Sequence, residues 1–376
     1  MKYYTVETKN KSIFKIFAIY YICMAVFCVV RFLFSYNGNL SGIAGEIVSS
    51  LLIQIAIMFL LPLFLYCAFL QVKPKQVFRS CNFEKVGVSV IFISLALGLL
   101  CFVINVAVSS LFSGIISFAG YRSPFSASAS DYSTWHFILE VFLVAVLPAF
   151  CEEFVHRGIL LQGIKHCGFK KAIVISALMF GLIHFNIQQF FYAFIVGMIL
   201  GFVAVVSKNI FPAMIIHFVN NFISIYLDYA SVKGWFGGDL LSKMQSMLTS
   251  NNMFAIFAIT AGVMILVVLL LCLFIWLLYK QSLVKKVNKA IDQVYNSPDL
   301  QYNVPIVVNK QAIIVDLLEK NTLLNLNYKK MDNPIDVVLP KEKSRYLASN
   351  KDKIFMWASI VLGGLVTLFT FIWGLL

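Results

Sequence analysis

The sequence TWHFILEVFLVAVLPAFCEEFVHR occupies residues 134–157 and decides both the fold class and the place of the chemistry. Its first part, Thr134–Cys151, is almost entirely apolar and is close to the length of about 20 residues that an α-helix needs to cross a bilayer. Two adjacent carboxylates, Glu152 and Glu153, follow directly. The stretch therefore predicts a membrane-spanning helix that ends in charged side chains.

The composition extends this prediction to the whole chain. Of the 376 residues, 60% are hydrophobic and 12% are charged, whereas a soluble globular protein averages about 25% charged residues. A disordered chain is excluded because it would be poor in apolar residues and rich in charge. We predict an all-α membrane protein, a polytopic helical bundle of about eight or nine transmembrane helices. The candidate spans are Ile13–Phe34, Ile47–Leu70, Val86–Val108, Thr134–Cys151, Ala172–Phe185, Phe190–Val206, Phe211–Leu227, Phe254–Tyr279 and Ile354–Leu376.

Two apolar stretches fit this pattern less well. Ala172–Phe185 is short for a span, so we expect it to be tilted, buried or partly re-entrant. Leu111–Phe125 is apolar but is interrupted by glycine and serine, and we expect an interfacial segment there.

The distribution of basic residues predicts the orientation. The net charge of +13 would suit nucleic-acid binding if it were concentrated on one folded face. It lies instead in alternate loops, as in membrane proteins whose basic loops are cytoplasmic. We expect a cytoplasmic N-terminus, an external C-terminus, a lipid bilayer as solvent and no nucleic-acid partner. The basic residues of these loops are Lys2, Lys9, Lys11, Lys15, Lys73, Lys75, Arg79, Lys85, Arg157, Lys165, Lys170, Lys171, Lys208, Lys280, Lys285, Lys286 and Lys289.

The sequence predicts five regions along the chain. Residues 1–133 would form N-terminal transmembrane helices, 134–230 a catalytic core, and 231–280 an external loop with a further span. Residues 281–352 are polar and mixed in charge, and Val304–Val308 and Ala312–Leu318 are short apolar stretches within them. We expect a small cytoplasmic subdomain there, β-rich or α+β, which could recruit an unknown partner, followed by a C-terminal span at 353–376.

The acidic pair after Thr134–Cys151 is the first candidate for chemistry, because ionisable side chains at membrane depth are costly. Glu153 and Arg157 are four residues apart on one helical face and can form an ion pair. Glu152 lies on another face, where a low-dielectric cavity would make it a usable general base. Pro148 removes a helical hydrogen bond nearby and can open such a cavity. In contrast, we expect Arg31, Glu46 and Glu140 to be isolated structural or interfacial groups.

Two further polar patterns follow on later spans. Phe180 and His184 lie one turn apart at the end of the short fifth span. His217 and Asn221 are also four residues apart, so both face one side of the seventh span. Either of the latter pair can donate a hydrogen bond to a developing oxyanion.

Taken in order, these patterns are Glu-Glu-x-x-x-Arg, Phe-x-x-x-His and His-x-x-x-Asn on successive elements. From Thr134 to Leu227 the sequence resembles the CPBP intramembrane proteases. This family includes type II CAAX prenyl endopeptidases and bacterial bacteriocin-processing or immunity proteins. The resemblance implies an endopeptidase that cleaves a peptide or a membrane-anchored protein, without a cofactor. We expect it to be an integral protein of a bacterial plasma membrane, although the sequence does not establish the source.

The resemblance also implies the roles of individual residues. Glu152 would activate water with His184 as its partner, and His217 and Asn221 would stabilise the oxyanion. Glu153 and Arg157 would support the site, and Phe180 would line it. Nothing in the sequence indicates whether the substrate is prenylated.

Several alternatives remain at this stage. Glu152, His184 and His217 could bind zinc in a metalloprotease, although the HExxH motif is absent. Cys151 could act as a nucleophile, but the sequence offers it no base; we interpret the eight cysteines as small buried hydrophobes. A non-catalytic scaffold or immunity protein that binds a peptide or a sensor would have the same fold. A transporter would be expected to show repeated pairs of broken helices, and no such repeat is evident.

Overall fold

The computed structural model describes residues 6–36, 42–123, 131–239, 253–295, 305–308, 311–314, 335–336 and 350–376. Helices dominate, and short 3₁₀ turns lie at Lys165–Cys167 and Lys351–Lys353. We number the described helices α1 (Val6–Tyr36), α2 (Gly42–Leu70), α3 (Pro74–Ser80), α4 (Val88–Phe118), α5 (134–164), α6 (Phe169–Leu182), α7 (Ile187–Ser207), α8 (Phe211–Lys233), α9 (Met253–Tyr295) and α10 (Ile354–Leu375).

The helical membrane fold is confirmed. Among the described residues, six helices are long and apolar enough to cross a membrane, and they lie in α1, α2, α4, α7, α9 and α10. The expected spans at Thr134–Cys151, Ala172–Phe185 and Phe211–Leu227 form α5, α6 and α8, which are not among the six, so the total of eight or nine stays a prediction. The 14 residues of α6 extend about 21 Å, less than the ~30 Å hydrocarbon core.

One expectation about the third span was wrong. The part of Leu111–Phe125 that lies in α4, up to Phe118, continues the helix and is not a separate interfacial segment. Pro124 and Phe125 lie outside the described residues. The glycine and serine in this stretch therefore do not end the helix.

Helices α2 and α5 both contain stretches of π-helix. They occur at Leu52–Leu60 in α2, and at Val141–Val146 and Phe154–Leu161 in α5. A π turn rotates the following side chains relative to a regular α-helix, and such turns are frequent at functional sites. The acidic pair at Glu152 and Glu153 lies between the two π stretches of α5.

The helices pack closely at small residues. At Gly98 in α4, an added Cβ would lie 2.5 Å from the Cβ of Val219 in α8. At Gly363 in α10, it would lie 2.5 Å from Met24 Cε of α1. Larger side chains at either position would push the helices apart, as at other close helix contacts in membranes.

The chain divides into two compact units, one of Met1–Ile275 with Tyr346–Leu376 and one of Trp276–Arg345. The second unit contains a three-stranded sheet of β1 (Pro305–Val308), β2 (Gln311–Ile314) and β3 (Ile335–Asp336) in the order β2-β1-β3. Strand β1 pairs antiparallel with β2 and parallel with β3. Strands β1 and β2 overlap the two short apolar stretches, Val304–Val308 and Ala312–Leu318, that the sequence analysis identified in this region. The cytoplasmic location of this region, its role and the five domain boundaries stay predictions.

Candidate active site

A polar cavity of about 420 Å³ lies within the first unit, among side chains from α1, α2, α4, α5, α7 and α8 and the end of α6. Of the seven residues that the sequence singled out, it brings five together at its wall; they are Glu152, Phe180, His184, His217 and Asn221. Glu153 and Arg157 are fully buried beside them. The residues chosen from three separate motifs therefore meet in one place.

Glu152 has a partner that the sequence analysis missed. Its Oε1 accepts a hydrogen bond of 2.9 Å from Nε2 of Gln54, which lies in the π stretch of α2. The bond leaves Oε2 of Glu152 for other contacts in the cavity. The available signal was a single amide inside the apolar run LLIQIAIMFLL, at residues 51–61. A buried polar side chain in such a run needs a hydrogen-bond partner.

Glu153 and Arg157 form the expected ion pair, with Oε1 of the carboxylate 2.6 Å from Nη1 of the guanidinium. Both side chains have no exposed surface. The guanidinium also donates to the carbonyl of Gly197 at 2.9 Å and lies over the ring of Phe180, 4.5 Å from its centroid. The pair therefore joins α5 to α7 and holds one wall of the cavity.

Glu153 also orients His217. Its Oε1 lies 3.0 Å from Nδ1 of the imidazole, so that nitrogen donates to the carboxylate when the carboxylate is ionised. Nε2 is then the ring nitrogen left to act in the cavity. It accepts a hydrogen bond when the imidazole is neutral and donates one only when the imidazole is protonated.

His184 is fixed in the same way by a backbone group. Its Nδ1 lies 2.7 Å from the carbonyl oxygen of Phe180. A carbonyl only accepts hydrogen bonds, so Nδ1 carries the proton and Nε2 of the neutral ring is an acceptor. In both cavity histidines an oxygen acceptor beside Nδ1 therefore favours the proton of the neutral ring on that nitrogen.

Asn221 is held by the backbone carbonyl of Val144, which lacks its usual helical hydrogen-bond donor because that donor would be the N–H of residue 148, a proline. Pro148 has no N–H to donate to the carbonyl of Val144 four residues earlier. Nδ2 of Asn221 donates to that carbonyl at 2.9 Å. An amide nitrogen carries two protons, so a second one remains for a ligand. The proline that the sequence analysis expected to distort the helix thereby helps to position Asn221.

A row of asparagines supports Asn221 from the other side, and the sequence analysis did not foresee it. Nδ2 of Asn220 donates to Oδ1 of Asn221 at 3.1 Å, and Nδ2 of Asn105 donates to Oδ1 of Asn220 at 3.2 Å. The row links α4 to α8. Both additional asparagines also line the cavity.

His156 is a further buried histidine, one turn after Glu152. Its Nδ1 lies 2.7 Å from the carbonyl oxygen of Glu152, and its Nε2 lies 3.1 Å from the hydroxyl of Tyr20. The Tyr20 hydroxyl donates to the carbonyl of Met179 at 2.9 Å. This side chain ties α5 to α1 behind the cavity, so we assign it a structural role.

The donor atoms of the cavity do not form a compact metal-binding group. Within the described part of the chain, one set of three histidine or carboxylate donors lies within 4.8 Å of one another, and it consists of Glu46, His136 and Glu140. Glu152 is in no such set with the two cavity histidines. The expectation that Glu46 and Glu140 are isolated was therefore wrong. The expectation was also wrong for Arg31, which lines the cavity that contains Glu152.

Comparison with family models gives a match over the part of the chain that carries Glu152, His184 and His217. Residues 134–223 match the family model described as type II CAAX prenyl endopeptidase Rce1-like. This segment belongs to the CPBP/CAAX protease family. No curated protein and no solved structure matches the chain. The CAAX protease segment ends just beyond Asn221, and it contains Glu152, His184 and His217 but not Gln54.

Proposed function

We propose that the protein is an intramembrane endopeptidase that hydrolyses a peptide bond with a water molecule activated by Glu152. The observation that carries the proposal is the convergence of Glu152, His184, His217 and Asn221 on one cavity of a helical membrane protein. The CAAX protease match supports the reaction class. The substrate class is a peptide or a membrane-anchored protein.

The first step is the orientation and deprotonation of water. Gln54 occupies Oε1 of Glu152, so the water donates one proton toward Oε2. Nε2 of the neutral His184 accepts the other proton as a hydrogen bond, since its Nδ1–H is used by Phe180. Glu152 then takes the proton as general base while the oxygen attacks the scissile carbonyl.

The second step is the stabilisation of the tetrahedral intermediate. The second Nδ2 proton of Asn221 donates to the oxyanion. His217 donates through Nε2 in its protonated form, and the Glu153 carboxylate beside Nδ1 stabilises that cation, as the aspartate of a serine-protease triad stabilises its histidine. Glu152 finally returns its proton to the leaving amine, and no covalent intermediate forms.

The test is a comparison of peptides released in membranes that contain the wild-type protein or Glu152→Gln. Glu84→Gln is the matched control, because Glu84 is exposed and lies in the loop before α4. We expect specific cleavage products with wild-type and control, and none with Glu152→Gln. Identical peptide profiles for all three would overturn the proposal and favour a non-catalytic scaffold.

Two further comparisons address the substrate and the nucleophile. The first adds synthetic CAAX peptides, with and without a prenyl group, to the protein in nanodiscs and measures their cleavage. Cleavage of the prenylated peptide alone would assign the chain the prenyl endopeptidase activity that the family model names. Cys151→Ser should retain activity, because Cys151 is 2% exposed and is not among the described residues that line the cavity. Loss of cleavage in this variant would favour a thiol mechanism.

A further inference from the structure

A second cluster of titratable side chains lies toward the other end of the helices that carry Gln54 and Glu152. Glu46 lies near the start of α2, and His136 and Glu140 lie in the first turns of α5. One donor atom of each residue lies within 4.8 Å of the other two. Twelve residues separate Glu140 from Glu152, which is about 18 Å of helix, so the cluster is distinct from the catalytic cavity.

The hydrogen bonds around His136 define which nitrogen faces the carboxylates. The side chain has no exposed surface, and its Nδ1 lies 2.6 Å from the hydroxyl of Tyr229. That hydroxyl has a single proton and two oxygen acceptors beside it, the carbonyl of Asp131 at 2.8 Å and the carboxyl group of Glu140, so toward Nδ1 it accepts. Nε2 therefore faces the acidic groups and lies 3.0 Å from Oε2 of Glu46, a contact that needs a proton on Nε2 when no cation is bound. A bound cation would take the place of that proton.

This arrangement has the chemistry of a metal site. A histidine that binds a metal ion through one nitrogen commonly donates its other N–H to an oxygen acceptor, which fixes the ring. Two carboxylates and a neutral imidazole carry two negative charges, which balance a divalent cation. Nitrogen and oxygen donors bind Zn²⁺ at about 2.0–2.2 Å, so donors up to about 4 Å apart can share one ion. The three donor atoms already lie within 4.8 Å of one another, so an ion would have to draw them together by less than about 1 Å.

We propose that Glu46, His136 and Glu140 bind a divalent transition-metal ion of the zinc class, and that Tyr229 is a positioning residue for His136. Glu46 is 26% exposed and Glu140 is partly exposed, so an ion can reach the site and water can complete its coordination. The ion would fasten α2 to α5. These two helices also carry Gln54 and Glu152, so the ion would fix the helix pair on which the Glu152 hydrogen bond depends.

The experiment uses the full chain in detergent or nanodiscs after treatment with a strong chelator. Zn²⁺ is titrated against a chromogenic chelator, and Co²⁺ serves as a spectroscopic probe. We expect one ion per chain and a Co²⁺ spectrum of nitrogen and oxygen ligands without a thiolate charge-transfer band. A thiolate band would instead assign the ion to a cysteine and overturn the proposal.

The variants separate this site from the catalytic cavity. Glu46→Gln and Glu140→Gln keep size and shape, and each should weaken binding at least tenfold. Tyr229→Phe should weaken it about tenfold to a hundredfold, as the loss of an outer hydrogen bond does in known metal sites. Glu152→Gln and His184→Gln should bind the ion normally. No stoichiometric binding, or binding that depends on Glu152 and not on Glu140, would overturn the proposal.

Discussion

Gln54 Nε2 donates a 2.9 Å hydrogen bond to Oε1 of Glu152, across the interface of two helices that each contain π-helical turns. The two residues are 98 positions apart, and only Glu152 lies in the segment that matches the protease family. The bond occupies one carboxylate oxygen and orients the other. Helix α2 therefore contributes a side chain to the cavity that contains Glu152, outside the segment that matches the protease family.

The first prediction concerns this bond. Gln54→Leu has a similar volume but removes the donor, so Glu152 loses its orientation. A hydrogen bond to a charged group contributes about 1.5–3 kcal/mol, so we expect kcat to fall about tenfold to a hundredfold. KM should change little, because the bond orients the proposed base and does not contact the substrate.

The rate is measured on the substrate that the peptide comparison identifies. Gln162→Leu is the control, since Gln162 lies in α5 and is not among the described residues that line the cavity. An equal loss in the control, or a rise in KM in place of the fall in kcat, would assign Gln54 a purely structural role.

The second prediction concerns Asn221. Its amide is held by the Val144 carbonyl and keeps one proton for the oxyanion. Removal of one oxyanion donor typically costs about 10²–10³ in kcat, so we expect a loss of that size in Asn221→Ala with little change in KM. Asn220→Ala should lose less, because Asn220 acts on Asn221 through Oδ1. Losses of equal size would transfer the donor role to Asn220.

Much of the cavity could be predicted from the sequence because its residues follow local rules. Glu153 with Arg157, Phe180 with His184, and His217 with Asn221 are each four residues apart, so helical periodicity alone places each pair on one face. The ion pair of Glu153 and Arg157 is present as expected. The family resemblance then supplied the assignment of His184 to Glu152, which no spacing within one helix could give.

The remaining contacts depend on packing between helices distant in sequence. Gln54 is an amide in an apolar run, and no pattern in α2 indicates which partner it meets. The same holds for Glu46, which appeared isolated because His136 and Glu140 lie about ninety positions further along the chain. The π turns of α2 and α5 shift the register of side chains, so faces derived from a regular 3.6-residue period do not carry across them.

The third prediction concerns the buried ion pair. Arg157→Met leaves the carboxylate of Glu153 buried without its guanidinium partner. Breaking a buried pair typically costs about 3–5 kcal/mol, so we expect a large loss in the free energy of unfolding. The double variant Glu153→Gln with Arg157→Met removes both charges and should recover part of that loss.

Unfolding in detergent is followed for both single variants and for the double variant, so that the coupling energy is obtained from a double-mutant cycle. Arg79→Met is the control, because Arg79 is exposed on α3. Additive effects of the two single changes would mean that the pair contributes no coupling. The recovered double variant should remain inactive, since His217 has then lost its carboxylate partner.

The fourth prediction concerns Cys81, which follows α3 and is fully buried. Burial raises the pKa of this thiol to about 12, and its side chain packs where Gly158 leaves room in α5. The thiolate is the reactive form, so Cys81 should resist maleimide at neutral pH in the folded protein and react after unfolding. The same thiol in the unfolded chain serves as the reactive comparison.

Because the unfolded chain releases the Cys81 proton at lower pH than the folded chain, this group should also lower stability as the pH rises from about 9 to 12. Cys81→Ser should show a smaller loss over that range, as measured by thermal unfolding at several pH values. Rapid labelling of Cys81 in the native protein would contradict the burial on which both expectations depend.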